Sequence, residues 1–448
     1  MVDLKDVQEN PAKYRRGAEL KNVKVDIDGI LRLAGERGAA RKDYDRFRSE
    51  QNEASKLISK LKDASEKQAA IARMADLKAK VKDAEEREKI AEAALMPLVW
   101  QVPQPPDADV PVGKDAAENV VLYRWGQPRK FEFEPKTHIE LVEKLGMVDF
   151  DAGVRIAGSR SYFLKGAGAE LHMAVLRLAF DLMVYEKGFT AMSVPVLVRE
   201  AAMRGTGFFP AGREQAYRVG EMDETGEDVR FLTGTGEVGL TAYEMPAKEN
   251  DVHLTEAELP LKYVTISTCF RREAGTYGKD TAGLYRVHQF DKCEQVVICR
   301  NDVEESKRWH QEMLGYSEEV LKRLNLPYRV IQCCTGDIGV KNASMMDIET
   351  WMPSRKSEKD PDSGYGETHS ASRLYEFQAR RLNLRYKGAD GKIRFCHTLN
   401  NTVAASPRIL IPILENYQNA DGTVTIPDAL RKYMGGKEKI GEAGSLGR

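Results

Sequence analysis

The sequence has little cysteine, no long apolar run and no excess of charge of either sign, and each absence narrows what it can be. Six cysteines in 448 residues, Cys269, Cys293, Cys299, Cys333, Cys334 and Cys396, fall in no paired zinc spacing. So few suit a reducing compartment rather than a disulfide scaffold. No segment approaches membrane-spanning length, and Met1 to Asn10 is polar, with no cationic head leading into an apolar run, so the expected address is the cytoplasm. With 68 basic residues against 69 acidic ones and a pI near 6.7, the chain is not a general polyanion binder. Any nucleic-acid contact must come from local basic patches. None of the seven histidines lies in a clustered metal motif.

What is present is enough apolar residue, 42%, for a large core, in a chain too long for a single one. Between Arg41 and Met96 there is little glycine or proline. Steps of three and four from Ile30 give Leu33, Arg37, Ala40, Tyr44, Phe47, Gln51, Ala54, Ile58 and Leu61, and a second series runs Ala70, Met74, Leu77, Val81, Ala84, Glu88, Ala91, Leu95 and Leu98. Both are heptad seams. Asp63, Ala64 and Ser65 read as the turn, with Ser65 as the N-cap of the returning helix, so the expectation is an antiparallel helical hairpin roughly 45 Å long. The first helix carries Arg37, Arg41, Lys42, Arg46, Arg48, Lys56, Lys60 and Lys62 among fewer acids. The pattern leaves open a spacer or dimerisation rod, or an arm that tracks phosphates.

The stretch 101–118, QVPQPPDADVPVGKDAAE, holds four prolines and reads as an extended, stiff linker. The expected division is 1–102 for the helical domain, 103–118 for the linker and 119–448 for the remainder. From Val120 strands and helices alternate irregularly, with long antiparallel candidates late in the chain, which predicts α+β rather than a doubly wound parallel sheet. Gly166 to Ala169 lack the Lys and Ser/Thr of a phosphate loop and read as the start of a helix over Glu170 to Tyr185, followed by Gly188 and a short strand ending at Pro195.

The chain is organised around Thr268 to Glu294, TCFRREAGTYGKDTAGLYRVHQFDKCE. Alternating runs, Tyr263 to Phe270 and Leu284 to Val297, flank a loop rich in Gly, Lys and Asp, which predicts an antiparallel hairpin with a long tip. Arg271, Glu273, His288, Gln289, Asp291 and Glu294 leave too little apolar surface for an ordinary strand pair. One face is therefore expected to meet a charged ligand.

This stretch resembles motif 2 of the class II aminoacyl-tRNA synthetases in its seryl form. GSRSYFLKGAGAELHMAVLRLAFDL with Pro195 is similar to motif 1, TGTGE at Thr233–Glu237 to the serine loop, GETHSASRLYEFQARR to the magnesium segment, and TLNNTVAASPRILIPILENYQ to motif 3. The resemblance implies an N-terminal coiled-coil arm that grips tRNA(Ser), a catalytic domain built on an antiparallel sheet flanked by helices, and a homodimer. The implied activity is ligation of serine to tRNA(Ser), and to tRNA(Sec) where one exists, through a seryl-adenylate made from ATP with Mg²⁺.

Residue by residue, the resemblance implies that Arg271 holds the α-phosphate and the amino-acid carboxylate, as a reaction between two anions requires. Arg272, Glu273 and the Val287 backbone meet the nucleotide, Phe290 stacks beneath the adenine, and Arg408 covers it and reaches the γ-phosphate. Glu294 binds the ammonium of serine; Thr235, Gly236 and Glu237 contact the amino acid; Asn400 orients it and Thr402 meets its hydroxyl. Glu367 and Ser370 bind ATP and its Mg²⁺, with Thr368 and His369 between them.

The chain departs from the usual pattern at Gln104, Pro105, Asp107, Gly236, Thr368, His369, Arg373, Asn401 and Pro407, and Gly236 is expected to loosen the serine loop. Motif 3 is expected as a polar loop leading into an apolar helix, and the tail from Gly436 to Arg448 as frayed. Two rivals carry other functions. A paralogue charging a carrier protein would lack the full arm, and a non-catalytic RNA-binding scaffold would keep the arm and lose Arg271, Glu294, Glu367 and Arg408.

Overall fold

The computed structural model describes residues 1–58, 61–220, 229–248, 251–275, 282–360 and 362–441. The chain divides into two compact units, 2–105 and 106–448. Among the described residues no helix is long and apolar enough to cross a membrane.

The smaller unit opens with two short helices, α1 (Leu4–Glu9) and α2 (Pro11–Leu20), and continues into the long pair α3 (Ile27–Ile58) and α4 (Ala64–Val99). Thirty-two residues in α3 and 36 in α4 span about 50 Å at the usual helical rise. Ile30, Leu33 and Ala40 from α3 and Leu77, Val81, Ala84, Ala91 and Leu95 from α4 are buried along the seam. Its charged members are paired: Arg37 Nη1 lies 2.6 Å from Glu92 and Arg41 Nη1 3.7 Å from Glu88. The cap is Asp63 rather than Ser65, because the Asp63 side chain accepts from the Glu66 N–H and the helix begins at Ala64. Lys60 lies outside the described residues.

The larger unit is built around an eight-stranded sheet. In chain order its elements are β1 (Val120–Trp125), α5 (Ala167–Asp181), β2 (Thr190–Ala191), α6 (Glu237–Ala242), β3 (Leu261–Phe270), β4 (Gln289–Cys299), α7 (Val303–Arg323), β5 (Tyr328–Gln332), β6 (Ser344–Trp351), β7 (Tyr365–Tyr375), β8 (His397–Ser406) and α8 (Leu410–Tyr417). The strand order is β1-β5-β6-β7-β8-β4-β3-β2. Every neighbouring pair is antiparallel except β2 with β3. Gly166, at φ +52°, starts α5, a conformation in which a side chain is strained.

Period-two alternation divides the sheet. On β4, Cys293, Val297 and Cys299 join the main core with Val175 of α5, Met313 of α7 and Leu414 of α8. Val296 and Ile298 face a second cluster with Leu240 of α6, and Lys292 and Glu294 share that side. The hairpin of β3 and β4 pairs Phe270 with Gln289 and Leu261 with Ile298. The second strand begins at Gln289, five residues later than the pattern predicts, and residues 276–281 of the tip lie outside the described residues.

Three expectations are corrected. The motif 3 segment is not a loop: His397–Ser406 is a strand between β4 and β7, its polar side chains alternating with Leu399 and Val403. The segment from residue 106 is not a free spacer, since Asp107 N–H donates to Ala343 O and its carboxylate accepts from Arg373 and from the Tyr375 hydroxyl. Val110 packs with Cys333 and Ile338. The tail is held as far as Lys439–Ile440, which pairs antiparallel with Val424–Thr425; residues 442–448 lie outside the described residues.

His310, His369 and His397 are buried, and burial lowers each pKa to about 4. The unfolded chain binds protons at these positions near pH 6.5 and the folded chain does not until pH 4, so their contribution is complete above about pH 6.5 and lost as pH falls toward 4. Each accounts for on the order of 3 kcal/mol. The urea midpoint is expected to fall steadily across that window, with a shallower slope in His369→Gln. In the arm, Leu95 is fully buried, and Leu95→Ala should cost about 2–5 kcal/mol, read as an earlier loss of helical circular dichroism on heating.

Candidate active site

One cleft of about 270 Å³ opens on the side of the sheet opposite the main core, lined among others by Thr235, Arg271, Phe290, Glu367, Asn400 and Arg408. These come from five separate segments, so the fold assembles the site. Strands β4, β7 and β8 line it together with the loop residues Arg271, Glu273, Tyr285 and Lys341, and the turn before α6 closes one end.

At the closed end Glu294 and Glu237 are almost fully buried. A buried carboxylate is tolerated only when a cation and hydrogen bonds compensate it. Glu294 is paired with Lys292 and accepts from Asn400 Nδ2 at 3.1 Å. Lys292 also donates to Thr235 Oγ1 at 2.8 Å, tying the turn before α6 to the sheet. Glu237 Oε1 accepts from Lys341 at 2.5 Å and from Gln378 at 2.7 Å. Thr402 lines the cleft beside Asn400, while Asn401 points the other way, donating to Met313 O and Ser317 Oγ of α7.

Gly236 does not loosen this end. A Cβ there would lie 2.6 Å from Thr265 Cγ2 and 3.0 Å from Ser267 Oγ, closer than atoms pack, so the turn sits directly on β3.

Arg271 stands at the middle of the cleft, its Nε donating to Gly234 O at 3.2 Å and its guanidinium 5.2 Å from the centre of the Phe290 ring. Those contacts fix the fork in place, which aligns two anions better than a mobile lysine would. Arg272 is exposed and outside the cleft lining, its backbone held by Gln215 O. Glu273 lines the cleft at φ +51°, with Arg286 at 3.5 Å and Arg160 at 4.0 Å from its carboxylate. Gln215 clamps the next residue in both directions, through Ala274 N–H and Ala274 O.

At the open end Arg408 Nη1 lies 3.3 Å from Glu367 Oε1, and its Nε donates to Tyr285 O at 3.2 Å. Its guanidinium lies 4.4 Å from the centre of the Tyr285 ring, with that of Arg355 at 3.9 Å. Glu367 and Ser370 are three apart, which in a regular strand puts them on opposite faces. A bulge opposite Ile348 and Glu349 brings both to the cleft.

That bulge turns His369 inward. The ring is buried between Thr368 Oγ1 at 2.8 Å and Val403 O at 3.1 Å, so His369 does not reach a ligand in the cleft. Thr368 lines the cleft but is bound to Thr350 Oγ1 at 2.6 Å. Asp347, paired with Ser370 across the strands, is buried, and its Oδ1 has no hydrogen-bond partner among the described residues. Burial, then the Glu367 carboxylate, push its pKa well above the usual range.

The sequence reading missed Lys292, Lys341, Gln378, Tyr285, Asp347 and Gln215. Lys292 had a signal: it is two residues from Glu294 on one strand and so on the same face. Lys341 and Gln215 lie outside the strands of the sheet, where no periodicity points.

Comparison with known proteins agrees with this geometry. Residues 1–106 match the seryl-tRNA synthetase N-terminal domain, and residues 222–417 match the tRNA synthetase class II core domain (G, H, P, S and T). The chain is 43% identical to a serine-tRNA ligase of Deinococcus radiodurans over 99% of both chains. It superposes on the seryl-tRNA synthetase of Pyrococcus horikoshii complexed with ATP with a TM-score of 0.87 at 34% identity, covering 98% of this chain and 99% of that one. The cytoplasmic serine-tRNA ligase of Naegleria fowleri in complex with AMP gives 0.82 at 29% identity over 96% and 95%. With both segments matched in order and near-complete coverage of its relatives, the chain belongs to the seryl-tRNA synthetase family.

Proposed function

We propose that the protein is a serine-tRNA ligase, which condenses L-serine with ATP to seryl-adenylate and pyrophosphate and then transfers the seryl group to the 3′ end of tRNA(Ser). Where a selenocysteine tRNA exists it is a substrate as well. The observation that carries the reading is the convergence of Glu237, Arg271, Asn400 and Arg408 on one cleft, with Glu294 held against Lys292 and Asn400 at its closed end.

The roles follow from position. Glu294, with Asn400 beside it, takes the ammonium of serine at the closed end, where Thr235, Gly236 and Glu237 form the wall and Thr402 meets the hydroxyl. A pocket that hydrogen-bonds a hydroxyl rejects the analogue lacking it by about 10⁴-fold or more. Arg271 lies between the two substrates and neutralises the carboxylate and the α-phosphate as they approach, so no general base is needed. The adenine rests on Phe290 under Arg408, with Glu273 and the Val287 backbone at its edge.

Glu367 and Ser370 offer hard oxygen donors on one face, with the orphaned Asp347 oxygen behind them, and so fit Mg²⁺. That ion keeps several waters and takes much of its coordination from phosphates. Among the described residues there is no group of three His, Cys, Asp or Glu side chains that would hold a metal without such help. When bound, Mg²⁺ offsets charge on the pyrophosphate leaving group.

Residues 1–102 form the tRNA-binding domain and 119–448 the catalytic domain. On the arm Lys42, Arg46 and Arg48 are exposed, as an arm that tracks phosphates requires. A homodimer is supported by exposed apolar side chains near and on α5, with Ile156 75% and Met173 64% exposed. The site of action is the cytoplasm.

Serine-dependent ATP/pyrophosphate exchange, with alanine, threonine and cysteine alongside, followed by charging of tRNA, tests the reading. Exchange specific to serine plus charging is expected, and exchange without charging would favour a carrier-protein ligase. Arg271→Ala should lower kcat for exchange about 10²–10³-fold in protein that still folds. Replacing Lys42, Arg46 and Arg48 together with alanine should raise KM for tRNA about tenfold and flatten its salt dependence, with pyrophosphate exchange unchanged.

A further inference from the structure

The second lysine of the closed end has no part in the chemistry above. Lys341 stands in the loop before β6, and its Nζ crosses to Glu237 Oε1 at 2.5 Å, passing 3.9 Å from the centre of the Phe208 ring. Gln378 Nε2 reaches the same oxygen at 2.7 Å. Gln378 is itself locked, donating also to Thr206 O and accepting from Thr398 Oγ1, each at 2.8 Å. Among the described residues the hydrogen bonds to the Glu237 side chain all fall on Oε1.

Two donors on one oxygen fix the plane of the carboxyl group. They saturate Oε1 and leave Oε2 as the acceptor of this group. Lys341 and Phe208 line the cleft together with Thr235, Asn400 and Thr402, so the held carboxylate stands at the amino-acid end and away from the nucleotide end at Arg408. Burial first, and the nearby Lys292 ammonium last, draw the Lys341 pKa down, and Glu237 is the first group to oppose them. The Glu237 carboxylate is thus the nearest compensation for the buried ammonium.

We infer that Lys341 is a specificity-determining residue for the amino-acid substrate: it holds Glu237 by Oε1 and so presents Oε2 to accept the hydroxyl hydrogen of serine, while Phe208 limits the space for a longer side chain. This deepens the serine-ligase reading and rests on it. A site with a fixed acceptor pays for an unfilled hydrogen bond when alanine enters, which is how a hydroxyl becomes a selectable feature. Lysine suits the place because a compact ammonium on a flexible stem reaches one oxygen, whereas an arginine fork tends to take both.

The experiment is pyrophosphate exchange on the full-length protein, wild type against Lys341→Met, Lys341→Arg and the double variant Lys341→Met with Glu237→Gln. In Lys341→Met, KM for serine should rise about tenfold or more while KM for ATP stays within about twofold, and the serine-over-alanine ratio of kcat/KM should shrink about tenfold or more. Lys341→Arg should restore part of the serine KM but less of the ratio. The double variant removes both buried charges and remains informative where Lys341→Met does not fold. A serine KM near the wild-type value in any folded variant without Lys341 would overturn the inference, as would serine and ATP KM values that rise together. Absence of serine-dependent exchange in the wild type sinks the ligase reading, and this inference with it; normal wild-type exchange with unaltered variants sinks this inference alone.

Discussion

Two carboxylates almost without solvent, Glu237 and Glu294, set the terms for the closed end of the cleft. The desolvation cost of a single buried charge amounts to several kcal/mol, so each needs compensation. Each therefore has its own lysine, Lys341 and Lys292, and an amide donor, Gln378 and Asn400. The pairing reaches outward. Lys292 also grips Thr235 on the turn before α6, and Gln378 grips Thr206 and Thr398, so the charge balance of the pocket and the position of its walls are one problem with one solution.

The sheet makes that solution possible through irregularity as much as through regularity. Strict alternation would put Glu367 and Ser370 on opposite faces; the bulge between them and the neighbouring strand restores both to the cleft, with His369 spent on the inner side. A second bulge, where Cys293 and Glu294 face Ala404 and Thr402, sets Glu294 beside the motif 3 strand. His369, buried and neutral, is thus a structural companion of the bulge rather than a ligand for the nucleotide.

Much of this was legible in the sequence, for identifiable reasons. The heptad seam fixed the arm because its period is long and its breaks are few, and the central hairpin stood out because its strands are too polar to be core. The polar run from Thr398 to Thr402 read as a loop for the same reason, yet it is a strand. Its polar side chains have partners that only the fold brings near: Glu294, and Met313 and Ser317 of α7. Lys341 was invisible, since its partner lies 104 positions away and no periodicity links them. Asp107 and Arg373 each look like isolated departures from the family pattern. In the structure they are each other's partner, 266 positions apart, so the departure is a single one.

The two ends of the cleft differ in how readily their charges can change partners. Arg408 and Glu367 meet at 3.3 Å with the carboxylate half exposed, and a pair so placed is held by roughly 1 kcal/mol or less. On the proposed reading an incoming nucleotide parts them at little cost, Arg408 turning to phosphate and Glu367 to the cation that accompanies it. Arg408 keeps its position while doing so, because the Tyr285 ring and carbonyl hold its base, and the Tyr285 hydroxyl donates to Glu367 O. At the other end, separating Lys341 from Glu237 would strand two buried charges at several kcal/mol, more than a small amino acid could repay. The nucleotide end is therefore built to exchange its ionic partners and the amino-acid end to keep them. On that reading, selectivity among amino acids depends on the end that does not yield, and adaptation to the charge of ATP on the end that does.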